Sequence, residues 1–279
     1  MRINPNKCVA CGNCTYVCPM GAIYIDPARK RATITEDECV ECYACFNGLS
    51  QEHLPPVLVR TVRRIFALMR VRFEPEPDVC PTAAFEPNEL TWPRVVRRAF
   101  SDPRVPHEST GVEGRGTEEV KTNDVTGRVQ MGEVGFTIEF GRPGVGTRFH
   151  EIQEMCWALG KAGVSFEKRN PVTSLMTDVA SGTLREDILG EKVMSAIVEI
   201  KVPVERTEEI IRLVWDVEKR IHTVVALGVG ARCDADGEDH VVAPILERLG
   251  YKLERAKTNA GLGRTVVPVA ERQQDLVKI

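Results

Sequence analysis

Eight of the ten cysteines fall between Cys8 and Cys80, and their spacing is where chemistry can start. Residues 8–19 read C-V-A-C-G-N-C-T-Y-V-C-P, residues 39–45 read C-V-E-C-Y-A-C, and a second Cys-Pro stands at Cys80-Pro81. Thiols crowded in this way point to metal ligation rather than to disulfides. Three thiolates two residues apart on one tight loop can cap three irons of a single cube, and the fourth iron then needs a thiolate from elsewhere. Small residues inside the loops (Ala10, Gly12, Asn13, Ala44) let the backbone curl and turn amides toward the sulfurs, which helps to set a reduction potential. Zinc is the competing reading, but structural zinc sites use two separated pairs of ligands, and two triplets with matching Cys-Pro steps do not follow that pattern.

In these motifs the chain resembles the bacterial-type two-cluster ferredoxins. The resemblance covers residues 1 to about 87 and implies two [4Fe–4S] clusters in which the fourth cysteine of each motif ligates the other cluster. Carried over, the first cluster takes Cys8, Cys11, Cys14 and Cys80, and the second takes Cys39, Cys42, Cys45 and Cys18. The segment between the motifs agrees. Ala22–Ile25, a turn at Asp26–Arg29 and Ala32–Thr35 read as a hairpin. Pro81-Thr82-Ala83-Ala84-Phe85 matches Pro19-Met20-Gly21-Ala22-Ile23, so the module reads as an internal duplication. One departure stands out: residues 46–79 separate Cys45 from Cys80, where the simplest pattern has three residues.

This insertion has its own period. Leu58, Val62, Ile65, Phe66, Met69 and Phe73 recur at helical spacing between Val57 and Phe73 and predict a buried stripe. Arg60, Arg63, Arg64 and Arg70 fall around the other side, where they predict a solvated face, a docking site for an acidic redox partner or contact with a membrane surface, and Arg94, Arg97, Arg98 and Arg104 add to the local excess of positive charge. Pro55-Pro56 starts the helix and Glu74-Pro75-Glu76-Pro77 stops it. Residues 102–132 lack a hydrophobic period, and their Gly111–Gly127 stretch reads as a linker or as a loop for an anionic ligand or partner.

From Gly135 onward strands and helices alternate. Strands are expected at Phe136–Phe140, Val164–Glu167, Met194–Val202 and Thr223–Val229. The first helix would be capped by Thr147 and the second would follow Pro203. This β-α-β-β-α-β order is that of the ferredoxin-like sandwich, with a further helix (Val241–Leu249) and strand (Tyr251–Ala256). It resembles ACT-like domains in topology. The fold class expected for the chain is α+β: a bacterial 2[4Fe–4S] ferredoxin fold with a helical insertion at 46–79, over residues 1–101, a Gly-rich linker at 102–132 and the α+β sandwich over 133–279. Candidate sites in the sandwich are few. Cys156 lies on an apolar helix face and reads as a buried thiol. Cys233 precedes Asp234, Asp236 and Asp239 and reads as a more reactive one. Lys257–Arg264 is either an anion grip or a surface turn.

A net charge of −3 predicts no general affinity for nucleic acid, and no apolar run approaches the roughly 20 residues that span a bilayer. The opening MRINPNKC has no apolar signal stretch, and the expected location is cytoplasmic. No Ser-His-Asp set, HExxH helix or nucleotide fingerprint is present, and catalytic residues are not assigned. The leading expectation is an electron-transfer protein or subunit that passes single electrons between a low-potential donor and a partner oxidoreductase, with the α+β domain docking, sensing a ligand or forming a homo-oligomer. Two alternatives stay open. Ferredoxin modules joined to an ACT-like domain resemble the iron–sulfur subunit of aspartate-semialdehyde sulfurtransferase, an anaerobic enzyme of homocysteine formation, although there the small domain comes first. The other is a redox regulator whose α+β domain senses a metabolite.

Overall fold

The computed structural model describes residues 1–48, 54–71, 79–111, 113, 127–142, 144–251 and 258–262. Helices and sheets are mixed throughout, and two separate apolar cores organise them.

The smaller core belongs to the N-terminal part. Strands β1 (Arg2–Ile3), β2 (Ile23–Asp26), β3 (Arg31–Ile34) and β4 (Phe85–Glu86) form two antiparallel pairs, β1 with β4 and β2 with β3. Short helices α1 (Asn13–Val17) and α2 (Ala44–Asn47) each begin just before the last cysteine of a triplet. The core itself is made of Met1, Ile23, Ala32, Tyr43, Ala84 and Phe85 with the buried cysteines Cys8, Cys14 and Cys80. So little hydrocarbon is present that the groups held by the thiols must contribute to its integrity.

Helix α3 (Pro56–Leu68) opens with proline at its first turn, where the missing N–H costs nothing. Its orientation differs from the expectation. Leu58, Ile65 and Met69, assigned to the buried stripe, are exposed, and Leu68 is 86% exposed, whereas Val59 is buried. Arg60 and Arg63, assigned to the solvent face, turn inward: Arg60 donates to the carbonyls of Asn6 and Cys8, and Arg63 to that of Ala10. Arg64 and Arg70 remain exposed. The reason is polar demand. Loop carbonyls without ladder partners need donors, and guanidinium groups supply them. Phe73 and the stop at residues 74–77 lie outside the described residues.

Helix α4 (Val95–Ser101) bridges the two parts, because Val96 and Phe100 belong to the larger core. Phe100 meets Phe149 edge to face with ring centres 5.3 Å apart. The following stretch is anchored where it is described: Asp102 is buried and accepts from Arg98, and His107 meets the Phe100 ring edge to face. Burial pushes His107 down to about 4, so it is neutral at neutral pH. Of the Gly111–Gly127 segment, all but Gly111, Glu113 and Gly127 lies outside the described residues.

The larger core covers one face of a five-stranded antiparallel sheet. Its strands are β5 (Glu133–Phe140), β7 (Ser165–Phe166), β11 (Ala196–Pro203), β12 (Val225–Ala231) and β13 (Thr258–Leu262), in the order β13-β12-β5-β11-β7. Small pairs add β6 (Thr147–Arg148) to β10 (Lys192–Val193) and β8 (Met176–Asp178) to β9 (Thr183–Leu184). Alternate residues Phe136, Ile138 and Phe140 of β5 and Val198, Ile200 and Val202 of β11 face the helices, as a period of two requires. Against them lie α5 (Phe149–Lys161), through Phe149, Ile152, Met155 and Leu159, and α6 (Thr207–Glu218), through Ile210, Ile211, Val214 and Val217.

Two local expectations change. Thr147 lies in β6 and does not cap α5. That end is served by Glu151, whose carboxylate reaches back to the Arg148 amide at 3.0 Å. The last helix, α7 (Val242–Arg248), falls as expected, and Asp239 accepts from its first amides. Thr258–Leu262, read as part of an anion grip or turn, is instead a strand paired in register with β12, from Val229↔Thr258 to Val225↔Leu262. An open sheet edge offered unpaired backbone groups, and this outweighed weak local propensity. The strand expected at Tyr251–Ala256 lies, apart from Tyr251, outside the described residues.

Candidate iron–sulfur centre

The two cysteine triplets adopt one backbone twice. In the first, Ala10 and Gly12 hold φ of 54° and 89°; in the second, Glu41 and Tyr43 hold 54° and 60°. These left-handed positions lie on either side of the middle cysteine and curl each loop about its sulfurs. Glycine adopts such a φ freely and tyrosine does so against strain. The framing hydrogen bonds repeat too. Cys8 N–H donates to the Asn4 carbonyl at 3.0 Å and Cys39 N–H to that of Thr35 at 3.1 Å. After the fourth cysteine of each motif the chain again turns alike, with Gly21 at φ 63° and Ala83 at 49°. The Ala22 amide then donates to Cys18 Sγ at 3.3 Å, and the Ala84 amide to Cys80 Sγ at 3.2 Å. A third such bond runs from the Ala32 amide to Cys8 Sγ at 3.4 Å.

All eight sequence-selected cysteines come together in two groups of four. Cys8, Cys11, Cys14 and Cys80 line one small apolar cavity, with Ile3 and Phe85. Cys18, Cys39, Cys42 and Cys45 line the other, with Ile23 and Ile34. Cys18 therefore stands in the second group although it follows the first triplet. The cysteines are all unpaired by disulfide. Among the described residues no three His, Cys, Asp or Glu side chains converge as they would on a single metal ion. The eight cysteines line these two spaces four by four, the donor number that a [4Fe–4S] cluster takes.

The donor set fits iron and sulfide in its electrostatics also. Burial and the crowding of neighbouring thiols push Cys14 and Cys45 up to about 12, and burial lifts Cys42 to about 11. Four thiolates so close are untenable without cations among them, and irons supply that charge.

Charged side chains hold the second loop. Glu41 is completely buried. It accepts from the Met1 ammonium at 2.7 Å and from Arg94 at 2.8 Å. Burial works to raise its carboxyl, but the two hydrogen-bonded cations prevail and hold it below the ordinary value. Arg97, 4% exposed, donates to the carbonyls of Glu36, Asp37 and Cys39 at 3.1, 2.8 and 2.9 Å and pairs with Glu191. Farther out Arg148 meets Asp37 at 2.7 Å, and Lys192 pairs with Glu38. Sequence reading passed over Glu41 and took Arg94 and Arg97 only as part of a local excess of positive charge. A carboxylate placed inside a C-x2-C step was the one local signal.

Elsewhere, Cys156 is fully buried and its thiol is driven well up by desolvation, leaving it inert. Cys233 is exposed and stands apart from both cages. A cavity of about 190 Å³ beside β7 and β11 is lined by Arg128, Phe166, Lys168, Lys201 and the buried Glu199, which accepts from Asn170 at 3.0 Å.

Comparison with known proteins converges on the same segment. Residues 1–48 match the family described as 4Fe-4S dicluster domain. Over 42 residues, 15% of this chain, the sequence is 43% identical to each of two proteins named Ferredoxin-1, both from Rhodobacter capsulatus. The match spans 62% of the length of those relatives. No solved structure matches. The chain carries [4Fe–4S] clusters, and its N-terminal part is a ferredoxin-type 4Fe-4S dicluster domain.

Proposed function

We propose that this chain is an electron-transfer protein or subunit that passes single electrons between a low-potential donor and a partner oxidoreductase. The observation that carries the reading is the sorting of eight cysteines into two apolar cages, each completed by a thiol from the other half of the duplication. Cys8, Cys11, Cys14 and Cys80 hold the first cluster; Cys39, Cys42, Cys45 and Cys18 hold the second. The clusters supply one-electron chemistry. The chain supplies thiolates, sulfur-directed amides and a wall of Ile and Phe that keeps water away.

Residues 1 to about 87 form the ferredoxin fold, with α3 inserted between Cys45 and Cys80. The remainder is a ferredoxin-like α+β sandwich, a reading supported by the β-α-β-β-α-β run of β5, α5, β7, β11, α6 and β12 and by the neighbour order β12-β5-β11-β7. No helix among the described residues is long and apolar enough to cross a membrane. A second reading, a metabolite-sensing redox regulator, draws support from the cavity at Glu199. It predicts a ligand-dependent thermal shift removed by Glu199→Gln with the clusters intact.

The decisive experiment is iron and sulfide analysis of anaerobically reconstituted protein, followed by dithionite reduction. About eight irons and eight sulfides with reversible bleaching are expected. Stoichiometric zinc, or about four irons after full reconstitution, overturns the ligand assignment.

A further inference from the structure

The two cages share a backbone but not a charge environment. Four cations touch residues 39–45, and each also meets a carboxylate: the Met1 ammonium and Arg94 meet Glu41, Arg97 meets Glu191, and Arg98, set 4.2 Å over the Tyr43 ring, meets Asp102. The cations that touch residues 8–14 are Arg60 and Arg63, and both contact backbone carbonyls alone, with no carboxylate partner among the described residues. One N–H of Arg60, at Nε, is buried without a hydrogen-bond partner among the described residues.

We propose that Arg60 and Arg63 are positioning residues that make the first cage the deeper electron sink, so that an electron settles on the first cluster in preference to the second. The step adds one electron from a low-potential one-electron donor; no bond breaks and no proton moves. The added negative charge is stabilised by nearby positive charge that no carboxylate among the described residues meets, and at the second loop the carboxylates cancel that benefit. The insertion between Cys45 and Cys80 thereby acquires a purpose: it brings two arginines to the Cys8–Ala10 turn. This inference rests on the ligand assignment above.

The test is an anaerobic potentiometric titration of the full, cluster-loaded chain with dithionite, followed by electron paramagnetic resonance. The wild type should show two waves. Arg60→Gln with Arg63→Gln should lower the upper wave by about tenfold in the reduction equilibrium, 59 mV for one electron, and leave the lower wave in place. Arg60→Lys with Arg63→Lys should restore most of the shift, and Arg64→Gln on the exposed side of α3 should move neither wave. If neither wave moves, if both move alike, or if the lower one moves, the proposal is overturned. Single Arg63→Gln, with its longer 3.4 Å contact, should give a smaller shift of the same wave and replaces the double variant should that lose iron. A wild type with fewer than about eight irons would defeat the ligand assignment itself, whereas full cages with unmoved waves would defeat this inference alone.

Discussion

Set side by side, the loops at residues 8–14 and 39–45 show how a duplicated element diverges. Their φ angles, framing hydrogen bonds and sulfur-directed amides coincide, although Gly12 corresponds to Tyr43 and Ala10 to Glu41. What differs is the company each keeps. The first loop lies under α3 and receives arginines on its carbonyls. The second is locked by a buried carboxylate, by α4 and by ion pairs of the adjoining segment with Arg148 and Lys192. Backbone shape is dictated by the cubane the sulfurs must enclose and tolerates little variation. The charges just outside that shell are free to drift, and under the proposal above they make two electronically distinct centres of one scaffold.

Several substitutions would break or sharpen this contrast. The largest effect belongs to the fourth thiols. Cys80→Ser should empty the first cage and abolish the upper reduction wave, and Cys18→Ser should empty the second and abolish the lower, each leaving about four irons by colorimetric assay. Loss of the same wave in both variants would dissolve the distinction between the cages.

Next comes the lock on the second loop. Glu41→Ala strands the Met1 ammonium and Arg94 around a buried site and should cost about 3–5 kcal/mol, read by denaturant unfolding under anoxic conditions. The pH dependence carries a definite sign. Because the native carboxyl is held below its ordinary 4.5, the stability it confers is fully present above that value and is lost as pH falls through the lowered one. The gap in Tm between wild type and Glu41→Gln should therefore hold above pH 4.5 and narrow as pH falls below it; a gap that stays constant on that acidification would remove ionisation from the account.

Arg97→Ala comes third. It removes three donations to loop carbonyls and leaves Glu191 unpaired, at a cost of about 2–3 kcal/mol with the second wave broadened or shifted. The smallest effect is Gly12→Ala. No atom lies within 4 Å of the added methyl, so only the left-handed backbone resists, at about 1 kcal/mol, with iron content unchanged. Iron loss there would mean that the two loops tolerate side chains unequally for a reason other than φ.

Much of this was legible from residue order. The cysteine spacing, the Pro-linked repeats and the β2–β3 hairpin are local patterns, and so are the alternations in β5 and β11, each of which buries its even-numbered residues against the helices. Other features depend on partners far along the chain. Period alone ranks Leu58, Ile65 and Met69 as buried. Whether α3 turns them inward depends on carbonyls at residues 6, 8 and 10 that call for donors. Glu41 reads as a spacer between cysteines until Met1 and Arg94 are in place. Thr258–Leu262 has the composition of a turn, and β12 makes it a strand.

The bridge formed by α4 has a practical corollary. Val96 and Phe100 are seated among the residues that cover the five-stranded sheet, while Arg94 and Arg97, on or beside the same helix, grip the Glu36–Glu41 stretch. A chain cut near residue 87 would contain all eight thiols of the two cages yet lose the brace on one of its centres, and excised and intact proteins would differ in how firmly that centre is retained.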